Sequence, residues 1–231
     1  MLRSEPDDVW GVKRGARNIR ARTSFSMGTR PTSNGRNTKR YMKRLLDITL
    51  AIFCLILFSP VILVCALAVW KDVGCPVIFR QERIGKGGKP FMIYKFRSMR
   101  SESGREDVPR LSTGDDKRLT RLGRFLRLHH LDELPQLWNV LRGDMSFVGY
   151  RPERKYFIDK IMERDNRYEL LYSMRPGVTS LATLYNGYTD SMEKMLKRLE
   201  LDLYYLERHS LRMDLDILWR TFAKTITGKV F

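Results

Sequence analysis

Ile48–Trp70 reads ITLAIFCLILFSPVILVCALAVW: 23 residues without a charge, interrupted only by Thr49, Ser59 and Pro60. About 20 apolar residues, each rising about 1.5 Å, cover a ~30 Å hydrocarbon core, so the run is long enough for a membrane helix. Two features argue against a simple crossing. Ser59-Pro60 falls at the midpoint, where proline removes a backbone donor and collides with the preceding turn. Both flanks are basic, with Lys39, Arg40, Lys43 and Arg44 before the run and Lys71, Arg80, Arg83, Lys86 and Lys89 after it. Lys and Arg favour the cytoplasmic side, so neither flank selects an orientation for a span. A helix–break–helix hairpin that enters and leaves by one leaflet satisfies both ends. Its bend would lie at Ser59-Pro60, with the Ser59 hydroxyl available to the exposed backbone groups. A kinked span and a buried core helix are the alternatives. Asp47, at the mouth of the run, is costly in lipid unless paired, and Arg44, three residues earlier, is within reach on a helix.

Outward from this run, the chain is strongly basic, with a net charge of +17 over 231 residues. Residues 1–44 alone carry twelve Lys/Arg against Glu5, Asp7 and Asp8. Such an excess points to nucleic acid, anionic lipid or phosphorylated ligands. With an apolar run directly after it, anionic membrane lipid is the more economical partner, and no aromatic interleaving supports nucleic acid. Residues 1–38 are polar and show no apolar periodicity, which predicts a disordered basic tail. The apolar run starts too far from the N-terminus, and is too long, for a cleaved signal peptide. Cys54, Cys65 and Cys75 form no CxxC pair or metal spacing, consistent with a reducing cytosolic face.

Downstream, Val77-Ile78-Phe79 and Phe91-Met92-Ile93-Tyr94 flank Gly85-Lys86-Gly87-Gly88-Lys89-Pro90, which predicts a β-hairpin. The glycine-rich turn lacks a P-loop pattern and no helix follows it. Residues 101–116 read as a loop. From Lys117 to His130 the pattern turns helical. Arg118, Arg121, Arg124 and Arg127 recur every three residues, and Leu119, Leu122 and Leu126 line another face. That suits a basic helix lying on an anionic surface, or a solvated face over a buried stripe. His129-His130 point apart on a helix, which disfavours a shared metal.

The segment Leu131-Asp132-Glu133-Leu134-Pro135-Gln136-Leu137-Trp138-Asn139-Val140-Leu141-Arg142-Gly143 predicts a helix capped by Asp132, with Pro135 in its first turn and Gly143 as its stop. Two acids there complement the helix dipole and need no further role. Equally, two adjacent carboxylates at a helix N-terminus, with Arg127 upstream, would stay ionised and could bind Mg²⁺ or attack an electrophile. Residues 154–173 and 190–207 are amphipathic and helical in pattern. Arg175-Pro176-Gly177 breaks the chain, Val178–Tyr185 reads as extended, and a last helix runs from about Leu211 to Thr227 with Leu215, Leu218, Trp219 and Phe222 on one side.

Taken together, residues 39–228 resemble the small monotopic phosphoglycosyl transferases, bacterial sugar transferases acting on polyprenyl phosphate. The motifs come in family order. They are the basic stretch with Asp47, the Ser59-Pro60 run, Tyr94-Lys95-Phe96-Arg97-Ser98-Met99, Arg121–Arg127, the Asp132-Glu133 segment, Gly143-Asp144-Met145-Ser146-Phe147-Val148-Gly149, Arg151-Pro152, Arg175-Pro176-Gly177 and Leu201-Asp202-Leu203-Tyr204-Tyr205. The resemblance implies transfer of a sugar-1-phosphate from a UDP-sugar to a polyprenyl phosphate, with release of UMP. Asp132 would be the nucleophile, passing through a covalent phosphosugar–aspartyl intermediate. Glu133 and Mg²⁺ would neutralise the diphosphate, with Asp132 and Glu133 as the metal ligands. Arg127, Arg151, Arg175 and Lys95 would hold phosphate or nucleotide sugar, while Asp47, Ser59 and Pro60 would shape the membrane hairpin. The location implied is the cytoplasmic face of the bacterial inner membrane. Self-association stays open.

The expected fold is α+β and mostly helical: a re-entrant membrane hairpin over 39–72 and a compact catalytic domain over 73–231, with a small β-hairpin and amphipathic interfacial helices. Three departures from the family pattern stand out. Tyr150 replaces a proline, Val178–Tyr188 lacks the family's tryptophan, glutamine and arginine, and the basic tail replaces an extra membrane domain. The altered segment after Arg175-Pro176-Gly177 leaves room for a non-catalytic membrane-bound adaptor, and the basic charge leaves a nucleic-acid binder as a third reading. The intact Asp132-Glu133 favours the enzyme.

Overall fold

The computed structural model describes residues 33–100, 118–187, 189 and 191–227. Most of the basic tail and the loop over 101–116 lie outside these residues. Helix α1 (Ser33–Leu57) and helix α2 (Ser59–Val73) meet at Phe58 and are bent by 63°. Helix α1 starts inside the stretch read as tail, because the helical run continues back through the basic residues to Ser33. Pro60 sits in the first turn of α2, where its missing N–H costs nothing. The Ser59 hydroxyl donates to the carbonyl of Ile56 at 2.8 Å, satisfying an acceptor at the break. Among the described residues no single helix is long and apolar enough to cross a membrane, but the bent pair reaches that length together. Its outer face is apolar and exposed at Ile52, Phe53, Ile56, Leu63, Val64 and Leu67.

Strands β1 (Ile78–Ile84) and β2 (Pro90–Phe96) form the expected antiparallel hairpin, with Ile78 opposite Phe96 and Ile84 opposite Pro90. Helix α3 (Arg121–Leu128) is shorter than the pattern suggested. Thr120 caps it by accepting from Gly123 N, and Lys117 lies outside the described residues. A 3₁₀ turn, Leu131–Glu133, leads into helix α4 (Gln136–Arg142), which Gly143 ends in the left-handed region at φ 91°.

Strand β3 (Ser146–Val148) pairs in parallel with β4 (Gly177–Thr179), across a connection holding helix α5 (Lys155–Met162) and a 3₁₀ run, Asn166–Ser173. At their ends Gly149 and Gly177 approach so closely that a Cβ on Gly177 would meet Gly149 N at 2.2 Å. Strand pairing stops at Thr179. Ser180 accepts from Thr183 N and turns Leu181–Tyr185 into helix α6, where continued strand was expected. Helices α7 (Met192–Arg208) and α8 (Leu211–Thr227) complete the described chain.

One core joins α1, α4, β3, α7 and α8 through Ala51, Val140, Met145, Val148, Tyr205 and Ile217. A second, around Tyr150, Ile158, Leu171 and Leu199, backs the long connection. A third seats α2 on β2 and α3 through Val69, Phe96 and Leu126. Asp47 is buried in protein, not lipid. It accepts from the Ser146 hydroxyl (3.0 Å) and the Phe147 amide (3.1 Å). The expected Arg44 partner points elsewhere, donating to the Val140 and Leu141 carbonyls at 2.6 and 2.8 Å. Lys43 pairs with Asp214 at 2.6 Å. Three neighbouring side chains on one face of helix α1 therefore bolt it to the domain.

Candidate active site

Asp132 and Glu133 lie in the 3₁₀ turn before α4, not at its cap. Pro135 occupies the cap position of α4, so the Asp132 carboxylate caps nothing. The turn is entered through His130, which adopts the left-handed region at φ 53°. Such a conformation is uncommon outside glycine, although histidine tolerates it better than most residues. It reverses the chain from α3 and points the two acids into the protein.

Asp132 is 5% exposed, and its carboxylate accepts no hydrogen bond from any described residue. Lys95 of β2 reaches Glu133 Oε1 at 2.6 Å, and Arg151 reaches the same oxygen at 3.7 Å. Arg127 is placed by a close backbone approach. A Cβ on Gly123 would meet Ser98 O at 1.9 Å, so α3 lies directly on Ser98. One turn on, Arg127 Nε donates to the Ser98 hydroxyl at 3.0 Å. A small cleft opens beside Glu133, lined by Lys95, Arg151, Arg83, Gln136, Pro152 and Gly177 among others. Its Arg83 wall is held by Glu153, which pairs with Arg83 at 3.3 Å and with Arg198.

The two acids are driven apart in charge. Burial pushes the Asp132 carboxyl up to about 6; Lys95 draws it down, Glu133 raises it, and Arg127 and Arg151 lower it. Burial also acts to raise Glu133, but Lys95, Arg151 and His130 outweigh it and hold Glu133 at about 2. The two acids do not lie at a helix N-terminus, and desolvation exceeds the pull of the nearby cations, so Asp132 gives up its proton less readily than a free carboxyl while remaining mostly ionised at neutral pH. Pairs of carboxyls with separated pKa values mark acid, base and nucleophile roles.

Of the expected site residues, the structure brings together Asp132, Glu133, Lys95, Arg127 and Arg151. It does not bring Arg175. That residue donates from Nε to the Gly143 carbonyl at 2.8 Å, at the far end of α4 from the acids. There it joins Arg44 in satisfying carbonyls the helix end leaves open. Sequence reading missed His130 and Asn139. The available signal for Asn139 was a polar, poorly helix-forming residue inside an apolar helix; His130 offered none.

The donor set is compatible with Mg²⁺. Two neighbouring hard oxygen groups suffice for an ion that keeps waters and takes substrate phosphates as its other ligands. Among the described residues no cluster of three or more potential ligands forms a metal cage. The unpartnered Asp132 carboxylate leaves lone pairs open to a cation.

Several known proteins resemble the chain. A UDP-glucose:undecaprenyl-phosphate glucose-1-phosphate transferase of Caulobacter vibrioides is 43% identical over 187 residues, covering 80% of this chain and 70% of the relative. A UDP-N-acetylgalactosamine-undecaprenyl-phosphate N-acetylgalactosaminephosphotransferase of Aeromonas hydrophila is 38% identical over 188 residues, 81% of this chain and 44% of the relative. The Escherichia coli UDP-glucose:undecaprenyl-phosphate glucose-1-phosphate transferase is 42% identical over 192 residues, 82% of this chain and 41% of the relative. The chain thus spans less than half the length of the last two. Residues 38–228, which carry the acid pair and every basic residue around it, match the bacterial sugar transferase family, and the chain belongs to that family.

Proposed function

We propose that this chain transfers a sugar-1-phosphate from a UDP-sugar to undecaprenyl phosphate or a similar polyprenyl phosphate. The carrying observation is Asp132: a buried carboxylate with no hydrogen-bond partner among the described residues, beside a Glu133 that Lys95 and Arg151 hold in its charged form, and near Arg127. Relatives named for this reaction support the reading.

In the first step, Asp132 Oδ attacks the phosphorus bearing the sugar. The new P–O bond forms as the bond to the UMP phosphate breaks, and UMP leaves with the electron pair. In the second, a polyprenyl phosphate oxygen attacks the same phosphorus. The aspartyl P–O bond breaks, restoring the Asp132 carboxylate and leaving the sugar on a polyprenyl diphosphate. A carboxylate is an established nucleophile in such chemistry. Phosphoryl transfer needs positioning and charge neutralisation above all. Lys95, Arg127 and Arg151 supply cationic groups around the diphosphate, the arginines with bidentate geometry. Mg²⁺ bound at Asp132 and Glu133 would neutralise phosphate charge. Partial desolvation strengthens each of these interactions.

The bent pair α1–α2 would dip into one leaflet, its exposed apolar face in lipid and its basic flanks on the cytoplasmic side. That would set the acid pair where a soluble nucleotide sugar and a lipid phosphate can both reach it. The test is incubation with a panel of UDP-sugars, Mg²⁺ and polyprenyl phosphate. A labelled sugar-phosphate adduct on the protein, absent in Asp132→Asn, supports the proposal. Absence of both adduct and UMP release across the panel overturns it.

A further inference from the structure

Strand β2 is paired with β1 along one edge only. Its other edge turns the Met92 carbonyl and the Tyr94 amide toward α4, where Asn139 closes it. Asn139 Nδ2 donates to Met92 O at 2.7 Å, and Tyr94 N donates to Asn139 Oδ1 at 3.2 Å. The side-chain amide thus offers one donor and one acceptor in the spacing a neighbouring strand would. Its orientation is forced, since the Tyr94 amide can only donate and the Met92 carbonyl can only accept. The residue is 0% exposed. Nδ2 also donates to Asp144 at 3.3 Å, and the Asn139 carbonyl accepts from the Gly143, Asp144 and Met145 amides. One side chain therefore ties β2, α4 and the start of the following loop.

The two ends of this tie lead to the acid pair. Lys95 directly follows Tyr94 on β2, and Glu133 precedes α4 on the same continuous turn-and-helix segment as Asn139. We propose that Asn139 is a positioning residue for the Lys95–Glu133 contact: its amide sets where β2 lies along α4, and so places the Lys95 ammonium on the dyad. A slip of β2 of about 1 Å would leave the strand intact and move the ammonium off Glu133. Misplacement of that size costs on the order of 100-fold in rate.

The proposal rests in part on the reaction proposed above, so its first test does not use activity. Full-length protein is pulse-acylated with an amine-reactive ester, and Lys95 labelling is read by mass spectrometry, with exposed Lys197 as internal reference. Wild type, Asn139→Ala, Asn139→Asp and Glu133→Gln are compared. Asn139→Asp preserves shape and the acceptor for Tyr94, so it covers the case in which the alanine variant fails to fold. Lys95 should be labelled severalfold faster in Glu133→Gln and in each folded Asn139 variant, with Lys197 unchanged. Wild-type labelling of Lys95 in a folded Asn139 variant overturns the proposal, whatever the enzyme's activity. The second test is a double-mutant cycle on kcat for UMP release. If Asn139 acts through Lys95, Asn139→Ala lowers kcat in the wild-type background and adds nothing in a Lys95→Met background. Additive losses would mean that Asn139 only supports the fold.

Discussion

Lys95 Nζ and Glu133 Oε1 stand 2.6 Å apart, joining β2 to the turn that carries the acid pair. Both side chains are largely buried, at 19% and 13% exposed. Removing one partner of such a pair strands the other charge. We expect Lys95→Met to cost about 2–3 kcal/mol, below the range for fully buried pairs because Arg151 remains near Glu133. Denaturant unfolding measures it, and a loss under about 0.5 kcal/mol would show that the pair contributes as little as a surface bridge.

The rate of UMP release should rise with pH through about 6 and level off above pH 7. Asp132 must be ionised to attack, and burial raises its carboxyl to about 6. Below that value the rate should fall about tenfold per pH unit. Glu133, held at about 2, stays charged across the range. A profile flat down to pH 5 would mean that Asp132 is not the titrating nucleophile.

Asp132→Asn should abolish the adduct yet stabilise the fold at neutral pH. A carboxyl with a raised folded pKa favours folding while protonated, and that contribution is lost as pH rises through about 6. The wild type therefore carries an ionisation cost above pH 7 that asparagine avoids, at most about 3 kcal/mol. Melting curves of the two proteins should differ most at pH 8 and converge toward pH 4. A variant less stable at pH 8 would contradict this.

Asp47 should matter through its acceptor oxygen. It receives the Phe147 amide and the Ser146 hydroxyl on the same Oδ1. Asp47→Asn retains a carbonyl there and should change stability by less than about 1 kcal/mol, whereas Asp47→Leu leaves buried donors unmet and should cost about 2–4 kcal/mol. Protease resistance of the α1–domain junction reports the difference. Equal effects of the two substitutions would place the role of Asp47 in its charge.

Single cysteines at Arg40 and Asp72, in a background lacking Cys54, Cys65 and Cys75, test the hairpin. Both positions lie at the open ends of the bent pair. A membrane-impermeant maleimide should reach both from the same side of sealed vesicles. Labelling from opposite sides would restore an ordinary span.

Much of the local architecture was legible in the chain itself. Ser59-Pro60 marked the bend, the glycine-rich turn marked the β-hairpin, and α8 begins and ends where its pattern did. These features are written in nearest neighbours: a missing amide, a left-handed turn, a repeat of three and four. The adjacency of Asp132 and Glu133 is likewise a property of sequence alone. Their charge states are not. Lys95 lies 38 positions from Glu133, and Ser146 lies 99 from Asp47. Whether Asp132 is ionised turns on how far water is excluded from it and on which cations the fold delivers, and Arg175 was delivered to the other end of α4. Desolvation and Coulomb interaction depend on distances through space, which only the packed tertiary structure sets.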